Sequence, residues 1–460
     1  MNIIIASALL GVVLMLSGVF LNHAKGKRTL AIFASIILMV VAVVDVMQNT
    51  NNTILHFNGL MATNSFTAKL NAVIAFCSML YIFLFSNEIS KVGLNDAEYF
   101  ALIFFALTGV FILTSYQNMF MLFLGIEILS IPQYILAGSD KRNVKSNEAS
   151  LKYFLMGAFS TGFLLMGITL IYGATGTFDV SKMALMGSGE PSTIALLGIL
   201  FLIVALGFKA SAAPFHVWTP DVYDGSPTAF TPFMASIAKV AIFAAFIHLF
   251  HASFAGLAGR WHIIIIAIIV LTLLIGNVTA VYQQSVKRML AYSSIAQAGF
   301  LLFAVYSLNE ISQKGILLYG ASYMLATMSI FAVLIKMKDY TFDGFNGLAK
   351  KQPVLAFAAA IALFSLAGIP LTGGFFGKYY MLNGAMQNGM PIWVLIFAVL
   401  MAAISVYYYF KVIQAMYFKT SIQDATEPDA VIDVPFKVML IINTALLILL
   451  GIYPTIVTIF

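Results

Sequence analysis

The sequence predicts an all-α protein that crosses a membrane many times, and three observations carry this. Of its 460 residues 61% are hydrophobic and only 9% charged, where a soluble globular chain carries about a quarter charged residues. The apolar residues fall in runs of about 20, the length that spans a bilayer as a helix, and mean hydropathy is +0.98. The bases cluster in short loops between those runs, so the net charge of +6 reads as membrane orientation and not as a nucleic-acid footprint.

The first run, "MNIIIASALLGVVLMLSGVF", is apolar almost from its first residue. It lacks the positive start of a cleaved signal peptide and reads as the first spanning helix, 3–21. Spans at 29–47 and 66–86 follow and complete an N-terminal unit, 1–97. Spans four and five, 98–116 and 118–138, are joined by almost nothing and form a tight hairpin. Span six covers 150–173. The seventh, 193–222, is broken by "GFKASAAPF", and the eighth covers 226–250. These five occupy 98–250. Spans 262–282, 290–307, 315–336, 354–384 and 392–418 occupy 262–418, and the fourth of them is broken by "LAGIPLTGGFFGKYY". The polar loop that begins at 419, with its acidic "DATEPDAVID", and a fourteenth span at 436–460 close the chain. The two broken spans lie five apart. An odd repeat inverts the second copy, and paired broken helices in inverted repeats point to an ion or substrate path near mid-membrane.

Orientation follows from the loops. "HAKGKR", "SDKRNVK", "QQSVKR" and "KMKDYTFDGFNGLAKK" share one side if the N-terminus faces out. Bases mark the cytoplasmic side, so both termini are expected on the periplasmic side of a bacterial inner membrane, with the 419–435 loop in the cytoplasm.

A charge at mid-helix costs roughly 2.5–3.5 kcal/mol on insertion scales, which makes such residues functional candidates. Four stand out. Glu127 is near the centre of the fifth span, and its alternative is a carboxylate that only bonds a neighbouring helix. Lys209 is near the middle of the broken seventh span. Pro214 cannot donate a backbone hydrogen bond and is expected to leave the Ala210 carbonyl free. Irregular backbone at that depth is tolerated only inside protein or along a wet cavity. Lys239 is central in the eighth span. Lys378 follows the break of the twelfth. For Lys209 the alternative is snorkelling from a helix end. Burial disfavours the charged form of either residue type, and a nearby opposite charge favours it. A Glu–Lys pair that opens and closes is therefore a pump element that needs no metal.

Other signals are weaker. His216, Asp221 and Asp224, in "PFHVWTPDVYDGSP", serve either proton access or helix termination. Gln297, with Ser293 and Ser294 in "YSSIAQAGF", either holds helices together or lines a water chain. His248 and His251 have metal-capable spacing but no third ligand and a boundary position. Lys69, Lys336, Lys411 and Asp45 lie nearer span ends, where snorkelling is the better reading. One cysteine, Cys77, makes neither a disulfide framework nor an iron–sulfur site, and no Walker or dinucleotide glycine motif appears.

"GFKASAAPFHVWTPDVYDGSPT" followed by "ASIAKVAIF" resembles the antiporter-like membrane subunits of respiratory complex I, the proton-translocating NADH–quinone oxidoreductase. "KRMLAYSSIAQAGF" and "LAGIPLTGGFFGKYY" agree, so the resemblance covers roughly 120–380 in family order. "FHVWTPDVYDGSPT" is most similar to the N-type branch, the equivalent of mitochondrial subunit 2. L- and M-type chains more often read "WLPDA", and M-type chains usually carry glutamate at the position of Lys378.

The resemblance implies a fourteen-helix core with two inverted five-helix bundles. It implies a proton path in which Glu127 pairs with Lys209, and Lys239 then links to Lys378. Many relatives have histidine where this chain has Gln297; glutamine cannot change protonation, so a proton passing there moves on water. It also implies no cofactor in this chain. Partners would be K- and M-type membrane neighbours, the lipid bilayer and, through the complex, iron–sulfur and flavin subunits whose quinone reduction drives the pump. Competing readings are a subunit of a cation/proton antiporter or membrane-bound hydrogenase on the same fold, and a scaffold subunit that transports nothing.

Overall fold

The computed structural model describes residues 1–21, 23–48, 53–93, 95–183, 191–420 and 432–456. Most of the acidic "DATEPDAVID" stretch lies outside these residues. The described chain is helical almost throughout. In order come α1 (Asn2–Phe20), α2 (Ala24–Gln48), a small antiparallel hairpin of β1 (Ile54–His56) and β2 (Met61–Thr63), then α3 (Ser65–Val92), α4 (Asp96–Ser115), α5 (Met119–Ala137) and α6 (Val144–Thr175). α7 (Thr193–Lys209) and α8 (Trp218–Gly225) flank a non-helical link. A π-helical turn, Phe233–Ile237, leads into α9 (Ala238–Leu249), followed by α10 (Ala258–Val281), α11 (Val286–Ser307) and α12 (Glu310–Leu334). The short α13 (Leu348–Lys351) precedes α14 (Pro353–Ala367), α15 (Gly373–Gln387), α16 (Ile392–Phe418) and α17 (Val434–Ile452).

The helices start where the side chains can hold the first free amides. Asn64, Asn118, Asn143, Ser192, Ser285 and Asn309 each accept a backbone N–H in the first turn that follows, the preferred chemistry of an N-cap. Packing uses small residues, as expected where lipid supplies no hydrophobic drive between helices. A Cβ added to Gly109 of α4 would lie 2.5 Å from the Leu129 nitrogen of α5. One added to Gly276 of α10 would lie 2.6 Å from the Ala296 nitrogen of α11. α11 and α12 are almost wholly buried, while α1, α2, α6, α16 and α17 each turn a broad apolar face outward.

The chain is a multi-pass membrane protein. Among the described residues eleven helices are long and apolar enough to cross a bilayer, or up to twelve if the bent pair at Asp343–Lys351 and Pro353–Ala367 is one span. This is fewer than the fourteen spans expected, for two reasons. α7, α14 and α15 have 17, 15 and 15 residues, short of a full crossing. The stretch Phe233–Val281 runs helically for 49 residues through the expected eighth and ninth spans. At 1.5 Å per residue that is about 74 Å, more than twice a hydrocarbon core of about 30 Å. A π turn at Phe250–Phe254 and a 3-10 turn at Ala255–Leu257 interrupt it midway.

The hairpin at 54–63 has no sequence signal, because "ILHFNGLMAT" is too short and too mixed to give a period. Its turn places Phe57, Asn58 and Gly59 at positive φ. The reading of Lys336 as a snorkelling side chain is corrected as well. Its Nζ is buried, 2.6 Å from Glu88 Oε1 of α3 and 4.5 Å from the Phe436 ring centre of α17.

Candidate functional site

Lys209 is the last residue of α7, and the helix stops there for a local reason. Ser211 takes a left-handed conformation, φ 63°. The Ala212 N–H then donates to Gly207 O at 2.8 Å and the Ser211 N–H to Phe208 O at 3.0 Å, which is the Schellman pattern of helix ending. The stop thus precedes Pro214, which lies in the link and ends no helix; the expectation that this proline frees the Ala210 carbonyl of a continuing helix is corrected. The link is pinned from outside. Thr272 Oγ1 of α10 accepts the Ala213 N–H at 2.9 Å, and the Trp218 indole donates to Phe208 O at 3.1 Å. Trp218 is stacked on Tyr153 at 4.6 Å and against Phe208 at 5.4 Å.

The Lys209 ammonium is buried and donates to Ser130 Oγ at 3.0 Å and to the Tyr134 hydroxyl at 3.1 Å. Both belong to α5, three and seven residues beyond Glu127, and residues at that spacing share a helix face. The Glu127 carboxylate lies on the same helix, half-buried, and accepts from Thr161 Oγ1 of α6 at 2.7 Å. The two groups expected to pair therefore address one stretch of α5 without forming an ion pair in this structure. Near the break, Gln133 Nε2, Ser211 Oγ, His216 Nδ1 and Thr219 Oγ1 are buried polar atoms with no protein partner among the described residues. His216 sits in the link and touches none of the four charges.

Lys239 is the second residue of α9, directly after the π-helical turn. Such turns are rare and frequent at functional sites. Here two buried tyrosines from outside hold it, Tyr223 donating to Met234 O at 3.1 Å and Tyr323 to Ala235 O at 2.7 Å. The lysine is 2% exposed. Its Nζ donates to Ser294 Oγ at 2.5 Å and Ser294 O at 3.0 Å on α11, and lies 5.5 Å from the Tyr223 ring centre.

Lys378 reaches back from α15 to the end of α14. Its ammonium donates to Leu366 O at 2.8 Å and Ala367 O at 3.1 Å, with the Phe300 ring centre 4.5 Å away. The last carbonyls of a helix lack intrahelical partners and carry its negative dipole end. α14 ends as α7 does, with Gly368 at φ 85°, its N–H donating to Ser365 O at 3.1 Å and the Ile369 N–H to Phe364 O at 3.0 Å.

Gln297 and Ser293 meet at a tyrosine. Gln297 Nε2 donates to the Tyr409 hydroxyl at 3.0 Å and to Leu366 O at 2.8 Å, its Oε1 accepts from Tyr319, and Ser293 Oγ is 2.5 Å from the Tyr409 oxygen. None of Ser130, Tyr134, Thr161, Tyr319 or Tyr409 was singled out from the sequence. The first two could have been, because they lie three and seven residues from Glu127. The rest carry no local signal.

At the surface end of α8, Asp221 bridges α6 and α11, with Lys152 Nζ at 2.9 Å and Arg288 at 3.0 Å. The buried Lys287 donates to Asp224 O at 2.9 Å and Ser226 O at 2.7 Å. Asp221 and Asp224 thus tie the second half of the broken span to the start of α11.

Comparison with known proteins places this arrangement. The NADH:quinone oxidoreductase/Mrp antiporter transmembrane family matches residues 117–405. The NADH-quinone oxidoreductase subunit N of Cytophaga hutchinsonii is 38% identical over 99% of this chain and 98% of its own length. The chain belongs to the NADH-quinone oxidoreductase subunit N family. The subunit N of Trichlorobacter lovleyi is 37% identical over 98% of this chain and 93% of its own. A chain of respiratory complex I from Thermus thermophilus superposes with a TM-score of 0.83 at 30% identity, covering 99% of this chain and 98% of that one. The fold recurs in the archaeal membrane-bound sulfane sulfur reductase and in the Mrp complex from Dietzia, with TM-scores of 0.87 and 0.85 at 24% and 20% identity over 98% and 99% of this chain and 94% and 95% of those. The family shows an antiporter-like membrane subunit.

Proposed function

We propose that this chain is a proton-translocating membrane-arm subunit of an NADH-quinone oxidoreductase, and that protons move along Glu127, Lys209, Lys239 and Lys378. The observation that carries the reading is the setting of the three lysines. Each is buried, and each ammonium is held by hydroxyls or carbonyls and, among the described residues, by no carboxylate. A buried charge is expensive unless paired; Lys287 shares this setting at the first turn of α11, beside a loop, but three such lysines within apolar spans are hard to explain as scaffolding. Hydroxyl and carbonyl partners hold a lysine while leaving its proton free to go. Glu127, on the helix face that Lys209 touches, is the group that would close onto it. Ser293, Ser294, Gln297 and, at the link, His216 lie beside this route as proton or water access.

The packing supports two repeats. α4 packs on α5 and α9 as α10 packs on α11 and α16, and α6 packs on α7 as α12 packs on α14. Both broken spans end in the same backbone pattern. On this reading 98–250 and 262–418 are inverted copies in a fourteen-helix plan, 1–97 and 419–460 flank them, and both termini face the periplasm of a bacterial inner membrane. The chain needs no cofactor of its own. Its partners are K- and M-type membrane subunits and, through the complex, the iron–sulfur and flavin subunits that oxidise NADH and reduce quinone.

Lys239→Ala in the assembled complex is the direct test. Proton pumping driven by NADH should be abolished or strongly reduced, with the subunit still present. Full pumping with normal assembly would remove Lys239 from the route. The partner set of the purified complex separates this function from that of an antiporter, which would lack flavin and iron–sulfur subunits.

A further inference from the structure

The link between Lys239 and Lys378 runs through α11, and the direction of its hydrogen bonds can be worked out. Lys378 and Gln297 share one acceptor, the Leu366 carbonyl, each at 2.8 Å. A carbonyl only accepts, which fixes the Gln297 amide with its nitrogen toward Leu366. The same nitrogen donates to the Tyr409 oxygen. The single hydrogen of Tyr409 is thereby left for its remaining side-chain partners, Ser293 Oγ and Tyr408, and the short 2.5 Å contact assigns it to Ser293. Ser293 then keeps its own hydrogen for something else. On the opposite side Lys239 donates to Ser294 Oγ. An ammonium offers no acceptor, so the Ser294 hydrogen also points away from its partner. Ser293 and Ser294 both line a cavity of about 10 Å³, with Tyr323, Thr327 and Leu366 also on its wall. That is about the smallest space that holds one water, which needs two to four polar partners. Two serines, a tyrosine and a threonine supply them.

We propose that this cavity binds one water joining Lys239 to the Tyr409–Gln297 pair, and that Tyr409 is the positioning residue that sets the polarity of the link. The proposal rests on the proton route given above. With Tyr409 donating to Ser293, the serine hydrogens converge on the water from both ends. A proton leaving Lys239 enters at Ser294 Oγ while the original Ser294 hydrogen passes to the water oxygen. It goes on through Ser293 only after Tyr409 turns its hydrogen toward Tyr408, whose own hydrogen is given to Asn277 Oδ1, and accepts from Ser293 instead. One hydroxyl rotation therefore closes or opens the step, and Gln297, bonded on both sides of its amide, holds the closed setting.

The test uses the assembled complex in vesicles and a high-resolution map of it. Wild type should show one water within hydrogen-bonding distance of both serines. Tyr409→Phe should lower the protons pumped per NADH at least twofold, and change the pH profile of that ratio, while NADH oxidation in uncoupled vesicles continues. Ser293→Ala should do the same, and it keeps the question decidable if Tyr409→Phe does not assemble. A dry cavity, or an unchanged ratio and pH profile in the variant that assembles, overturns the proposal. Full pumping in Lys239→Ala overturns the route itself, whatever Tyr409 does.

Discussion

Lys378 rests its ammonium on the last two carbonyls of α14, and Gly368 makes the room for it. A Cβ on Gly368 would lie 3.0 Å from Lys378 Cδ, on a backbone already at φ 85°. Gly368→Ala should therefore do two things. The left-handed residue costs about 1–2 kcal/mol, read as a lower unfolding temperature of the complex. The displaced lysine stem should also reduce proton pumping beyond what that loss of stability explains. Gly368→Ala with wild-type pumping would show that the position of the Lys378 head is not critical. At this scale the sequence is informative about which residues carry charge into the membrane. Glu127, Lys209, Lys239 and Lys378 are conspicuous because nothing near them in the chain compensates them. What they touch is not legible. Ser130 and Tyr134 meet Lys209 from another helix, Ser294 meets Lys239 from α11, and an ordinary serine or tyrosine in a span gives no sign of such a duty. The open Glu127–Lys209 pair depends on which hydroxyls compete for the ammonium, and only the packed structure reveals that.

The two broken helices stop by one device at different residues. α14 uses glycine at the left-handed position, and α7 uses Ser211. A β-branched residue tolerates that conformation least, so Ser211→Val should lose about 1–2 kcal/mol. Ser211→Gly should hold stability or raise it, since it also removes a buried hydroxyl with no protein partner. Thermal unfolding of the purified complex compares the two, and equal losses would mean that packing, not backbone strain, dominates there. The small residues and prolines made both breaks readable in outline. The stopping points were not readable. Proline draws attention to 214, whereas the helix ends five residues earlier, at Lys209, and a serine with positive φ has no sequence signature. The β-hairpin escaped for a related reason, since three-residue strands carry no period.

Across the whole molecule, Lys239 and Lys378 both reach α11 contacts while Lys209 is held by α5, and the proposed route makes these charged groups a row that runs across the helices. Whether that row lies between two aqueous faces as proposed is checked by topology. Asn143→Cys and Asp339→Cys, each in its own variant, should react with a membrane-impermeant maleimide from the cytoplasmic side. Thr177→Cys and Asn309→Cys should react from the other. The native Cys77 is buried and adds little background. Labelling of all four from one side would refute the inverted arrangement. The chain's class was legible from the apolar runs. The number of crossings is less so, because what reads as one span, 354–384, is divided between α14 and α15, each 15 residues long. That division bears on how the protein is made. α15 reads "GGFFGKYYMLNGAMQ", 15 residues with a lysine and four glycines. Such a segment has little tendency to leave the translocation channel for lipid by itself. It has to be carried in by α12 and α11, against which it packs, so during biosynthesis Lys378 enters the membrane as a passenger of helices synthesised before it.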